Sequence, residues 1–183
     1  MIMVKGRVVV GLDSRLTRTT EGKTGYESVN KLHQVSDYYF SFAGFADLGQ
    51  VNSYKYIATL LKTVPAFDSV KQKLKKNFLP GYTSLLQHYN TLDSNYYKKK
   101  FASEYQNFIL IIYRKASAIC VYTLKFGLKD QGGKLVFRII EESDINLSTI
   151  GKTTFQPGFI MSKKTIRTCP KPNPLTLNRP SVK

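Results

Sequence analysis

Val8-Val9-Val10-Gly11-Leu12-Asp13-Ser14-Arg15, followed by Val29-Asn30-Lys31-Leu32-His33-Gln34-Val35 and then Phe40-Ser41-Phe42-Ala43-Gly44-Phe45-Ala46-Asp47, is the stretch that decides the fold. Its β-branched and aromatic runs read as successive short strands, and they carry an acid, a guanidinium and an ammonium in turn. Side chains alternate along a strand, so Asp13 and Arg15, two apart, share one face and sit side by side. Lys31 is expected on the next strand. The Thr-Thr-Glu-Gly-Lys-Thr-Gly composition between Arg18 and Gly25 predicts a connecting loop. Across the sheet, Asp13 can pair with Lys31.

Working outward, Tyr38 to Ala43 predicts an aromatic strand ended by Gly44. Leu48, Val51, Tyr54, Ala58 and Leu61 recur at helical spacing, with Asp47 or Asn52 as cap and Pro65 as stop. Ser69 to Tyr97 is helical in pattern, and Pro80-Gly81 is expected to divide it into two helices. Strands follow at Phe108–Tyr113, Ala118–Leu124 and Leu135–Ile140, joined by turns at 114–117 and 129–133. Their near-continuous apolar runs predict cover on both faces.

The three blocks Val8, Val9, Asp13, Ser14, Arg15, Thr17; Lys31, Leu32, Val35, Asp37; and Ala43, Gly44, Asp47 resemble, in that order, the proteasome β-subunit family of the N-terminal-nucleophile (Ntn) hydrolases. The resemblance covers residues 4 to 150 and is densest in the first 62. It implies an α+β fold, a four-layer αββα sandwich, in which an N-terminal threonine attacks a carbonyl and its own amino group is the general base. Asp13 and Lys31 match the family's acid and lysine, with Arg15 beside them. Gly44 matches the glycine whose backbone N–H helps form the oxyanion hole, an amide aimed at developing negative charge. The implied reaction is threonine-type hydrolysis of a peptide-like substrate, and family members pack into rings, so a homo-oligomer or ring is an implied partner state.

The chain departs from that pattern in three places. It opens Met1-Ile2-Met3-Val4; the resemblance implies a hairpin turning at Lys5-Gly6, which puts the nucleophile position before Met1, and Cys120, Cys169, Thr17, Thr19 and Thr20 lie elsewhere in the motif order. The spacing from Lys31 to Gly44 is one residue shorter than usual. After Ile150 the family's glycine-serine-glycine turn is matched only by Gly151 and Thr153, and the tail from Ser162, with Pro170, Pro172, Pro174 and Pro180, opposes further helices. The expectation is therefore a β-like domain over 1–161 with an incomplete second helical layer, and a basic, disordered tail over 162–183. Two explanations stay open. Either a hydrolase has lost its first residues, or the chain is a pseudoenzyme with an assembly role.

Composition bounds the alternatives. The 183 residues, 42% of them hydrophobic, suffice for one continuous core. No apolar run reaches the roughly 20 residues of a membrane helix, and the expectation is a cytoplasmic protein without a membrane partner. Two cysteines and two histidines give no disulfide framework, no metal-ligand spacing and no cofactor motif, so neither metal nor cofactor is expected. Cys120 reads as a core residue and His33 as a packed or surface one.

The net charge of +16 admits a second class of function, a basic module for nucleic acid or another polyanion. Lys71, Lys73, Lys75 and Lys76 crowd one helical segment, Lys98-Lys99-Lys100 form a run, and no acid follows Asp144. Phe78, Tyr82, Tyr96, Tyr97 and Phe101 interleave them, which would suit base stacking, but Phe78 fits a buried helix face and no known nucleic-acid motif is present. A solvated helix face with a basic tail accounts for the same pattern.

Overall fold

The computed structural model describes residues 2–4, 7–10, 12, 15–20, 23–48 and 51–147. Its centre is a five-stranded antiparallel sheet of β5 (His33–Val35), β6 (Tyr38–Ala43), β7 (Tyr105–Lys115), β8 (Ala118–Gln131) and β9 (Lys134–Asn146), neighbours in space in that order. Between β6 and β7 the chain builds α1 (Ser53–Thr63), α2 (Phe67–Lys73), a π turn (Leu74–Phe78), α3 (Leu79–Leu92) and α4 (Ser94–Phe101). The class is α+β.

Before the sheet come two hairpins, β1 (Ile2–Val4) with β2 (Arg7–Val9), and β3 (Arg15–Thr20) with β4 (Lys23–Ser28). The first brackets residues 5 and 6, where the resemblance implies a turn. The second corrects the expected loop over Arg18 to Gly25. Thr17, Thr19, Thr20 and Thr24 are β-branched and extend both strands, which leaves only residues 21 and 22 between them.

Alternation sorts the sheet's two faces. Phe40, Phe42, Ile109, Ile111, Tyr122, Leu124, Phe126 and Leu128 point to the helices, where they meet Ile57, Leu61, Val70, Leu74, Leu79, Tyr82 and Leu86 in one buried cluster. Leu110, Ile112, Val121 and Leu147 form a second cluster on the other face, and Val10 packs against it. Both faces of β7 and β8 thus carry buried apolar side chains, as their apolar runs predict, but the same expectation fails for β9, an edge strand on which Val136, Ile139 and Ile140 are exposed. Cys120 is buried on the helix face.

Several boundaries differ from the sequence reading. The helix expected from Leu48 begins at Ser53, because the Asn52 side chain accepts the Lys55 N–H at 2.9 Å and ends the preceding turn, in which the Leu48 N–H reaches Val51 O at 3.0 Å. Pro80-Gly81 does not divide the next helix. Proline lacks the N–H and crowds the carbonyl four residues earlier. The π turn just ahead of it answers this by a wider bonding step, the Leu79 N–H to Leu74 O, so the chain stays helical from Phe67 to Leu92. The break comes at Asp93, whose carboxylate caps α4 by accepting the Tyr96 N–H at 3.1 Å.

All three central strands run longer than their apolar stretches. Two-residue turns join them, at Ala116-Ser117 and at Gly132-Gly133, and both glycines adopt positive φ (64° and 85°) as the tight hairpin requires. In β9 the register to β8 shifts between Ile139 and Glu141. Leu135 and Phe137 face the helices on odd numbers, and the one-residue bulge hands that face to the even-numbered Glu142 and Asp144. The boundary expected near residue 161 lies outside the described residues.

Candidate functional site

Gly44 ends β6 and carries the strongest backbone demand among the described residues. Its φ of 144° lies in a region that L side chains rarely adopt, and a Cβ added there would run into the Asn107 carboxamide oxygen and meet Phe42 Cε1 at 3.2 Å. The position requires glycine for both reasons.

Asn107 is itself held. It is 1% exposed, on the helix-facing side of β7, and its Oδ1 accepts the Tyr82 hydroxyl at 3.0 Å. The Tyr82 oxygen in turn accepts the Phe45 N–H at 3.1 Å. A buried polar relay therefore runs from the backbone just after Gly44, through an α3 phenol, to a β7 amide, and burial pushes the Tyr82 pKa well above its ordinary value. The neighbouring carbonyls are likewise engaged: Tyr54 Oη donates to Phe42 O at 2.7 Å, Ser53 Oγ to Phe45 O at 3.3 Å, Ser53 N–H to Ala46 O at 2.8 Å, and Tyr89 Oη to Leu48 O at 2.9 Å. Four side chains from α1 and α3 fix the segment from Phe42 to Leu48. Since the Phe45 N–H is taken by Tyr82, the amide that the resemblance assigns to an oxyanion is Gly44's own.

The β5–β6 register sets His33 opposite Phe40 and Val35 opposite Tyr38. The end of β5 that leads back to Lys31 and the end of β6 that leads on to Gly44 are consequently the same end of the sheet. Lys31 is half-buried and lies in the link between β4 and β5, not on a strand as expected. His33 packs its ring against Tyr54 at 4.3 Å and Phe40 at 5.4 Å, and burial lowers its pKa. Its role is packing.

Asp13 lies outside the described residues, as do Gly151 and Thr153. Arg15 opens β3, paired with Ser28. The expectation that Asp13 and Arg15 share a face also falls outside what is described. Among the described residues, no group of three His, Cys, Asp or Glu side chains is placed to hold a metal. No described helix is long and apolar enough to cross a membrane.

At the other end of the sheet a charged network forms that the sequence reading does not anticipate. The bulge in β9 aims Asp144 and Glu142 at the α2–π segment. Lys71 Nζ donates to Asp144 Oδ2 at 2.8 Å and lies 2.6 Å from Asp68 Oδ1, while Lys75 Nζ donates to both Glu142 oxygens at 2.9 and 3.0 Å. Tyr113 Oη donates to Asp144 at 2.8 Å and Tyr122 Oη to Glu142 at 3.1 Å. Burial raises both phenol pKa values strongly, and the adjacent carboxylates raise them further. For Lys71, burial pulls the pKa down, but the hydrogen bonds to Asp144 and Asp68 outweigh it and the pKa rises. Two of the four lysines grouped above as one solvated face are therefore ion-paired against the sheet.

Sequence reasoning missed Tyr82, Asn107, Tyr54 and Ser53. The sequence reading sets Tyr82 and Phe101 among the aromatics that interleave the lysines, whereas both are buried in the core under the helices. Compared with protein-family models, with curated proteins and with solved structures, the chain matches none.

Proposed function

We propose that the chain is a proteasome-β-like, Ntn-type domain whose supporting groups are Asp13, Arg15, Lys31 and the Gly44 amide, built for attack on a peptide-like carbonyl. One observation carries the reading. The lysine link and the glycine that must be glycine flank the same end of one sheet, and a buried relay fixes the backbone beside that glycine. In this arrangement the Lys31 ammonium would lower the pKa of a nucleophile, Asp13 would orient the lysine, and the Gly44 N–H would meet the developing oxyanion. The four-layer sandwich belongs to the same proposal, with the hairpin strands β1–β4 contributing to a second sheet.

No threonine, serine or cysteine precedes Asp13 in the 183 residues, so a polypeptide of these residues alone is expected not to cleave peptide amides by this route. Turnover by pure protein that vanishes in Asp13→Ala or Lys31→Ala would contradict this. The site itself is tested without activity by a double-mutant cycle on stability. Paired side chains at 13 and 31 should couple by about 0.5 kcal/mol or more, and strict additivity would sink the assignment.

A further inference from the structure

The helical layer separates its lysines into two populations. Residues 53–101 hold nine lysines, two aspartates, no arginine and no glutamate. Lys71 and Lys75 turn to the sheet and are neutralised by Asp144 and Glu142. The others are exposed: Lys55 and Lys62 on α1, Lys73 and Lys76 on the α2–π segment, and Lys98, Lys99 and Lys100 on α4. None of these seven forms an ion pair among the described residues. The acids that could have balanced them are placed on β9, under the layer. All four helices bury apolar residues in the one cluster against the sheet, and the exposed positions of the layer carry these seven lysines against two acids, Asp68 and Asp93.

From this separation we infer that the outer helical face binds the phosphate backbone of duplex nucleic acid, without reading sequence. The inference does not rest on the hydrolase reading. Like charges held together on a rigid surface repel, and a polyanion relieves that repulsion while releasing its own condensed counterions. Lysine without arginine supplies point charges rather than the planar forks that read guanine edges, so the contact is to phosphate and not to bases. Unpaired strands are disfavoured because no open aromatic platform faces outward: Tyr96 and Tyr97 are half-buried, and the Lys100 ammonium sits 5.6 Å over the Tyr96 ring. An anionic membrane is disfavoured because Leu92 is the single large apolar side chain of the described helices that stands exposed, too little for interfacial insertion.

The test uses the full chain and a fluorescent duplex of arbitrary sequence, followed by anisotropy. Binding should fall steeply between about 50 and 200 mM salt and be equal for unrelated sequences. Replacing Lys98→Gln, Lys99→Gln and Lys100→Gln together should weaken it at least about tenfold and reduce the logarithmic salt slope by about 3, near one unit for each phosphate no longer neutralised. Lys73→Gln with Lys76→Gln is an independent second variant that should reduce the slope by about 2. Circular dichroism checks that each variant keeps its fold. No binding at low salt would overturn the inference. So would unchanged binding by both helix variants with loss only in Lys152→Gln, Lys163→Gln and Lys164→Gln, or tighter binding to phosphatidylserine vesicles than to the duplex.

Discussion

The two ends of the helix-on-sheet interface are held by opposite means. At the Gly44 end the contacts are neutral and buried: a phenol, a carboxamide and backbone groups, matched atom to atom. At the β9 end they are charged and a fifth to a third exposed, two lysines on two carboxylates with two tyrosines bonded behind them. A buried neutral relay depends on shape, and a missing atom leaves a desolvated partner with nothing to bind. A half-exposed ion pair depends on solution conditions, and water takes the place of a partner that is removed. The first kind suits a backbone that has to stay in one place; the second docks a helix.

The sharpest way to break this contrast is Gly44→Ala, which adds backbone strain and a collision with Asn107 at once. A loss of about 3 kcal/mol or more is expected, read from the urea midpoint. Tyr82→Phe removes one oxygen and leaves both the Phe45 N–H and Asn107 Oδ1 unpaired in a dry site, and stability should fall by about 2 kcal/mol. If that variant were as stable as the parent, the relay would not hold the loop.

The charged end should respond to alkali. Tyr113 and Tyr122 have folded pKa values above the ordinary 10.0, so the stability they lend is complete below pH 10 and drains away as the unfolded chain ionises above it. Because their carboxylate partners Asp144 and Glu142 are each about one-third exposed, the expected loss is near 1 kcal/mol per pH unit for the pair. Denaturation curves across that range should steepen in the parent and flatten in Tyr122→Phe. Smallest of all is Lys75→Gln, whose ion pair with Glu142 is about one-third exposed on each side; a loss under about 1 kcal/mol that shrinks further with added salt is expected.

Legibility in the sequence followed the range of the interactions. The strands of the sheet and the helical character of 53–101 are visible because apolar periodicity is a local record of burial. The hairpin at 15–28 was hidden by its threonine and glycine content, which suits a turn in isolation and a strand once a partner is present. The Pro80 π turn escaped because proline's usual effect is to end a helix, and only the surrounding core keeps this one continuous. Of the candidate site, Gly44 was found by its motif, and the reason it must be glycine, Asn107, lies more than sixty residues away. Lys71 and Lys75 looked like their exposed neighbours because nothing nearby in sequence shows that a bulge will turn two carboxylates toward them.

By itself the sequence determined an α+β chain with two central strands apolar on both faces, a lysine-rich helical segment and the order of Asp13, Lys31 and Gly44, all of which depend on residue type and near-neighbour spacing. Tertiary structure decided which lysines are neutralised, which phenol holds the backbone next to Gly44 and which end of the sheet the Lys31 link and Gly44 share. Those are outcomes of strand register and of contacts between residues distant in the chain, and one extra residue in β9 is enough to reverse which side chains meet.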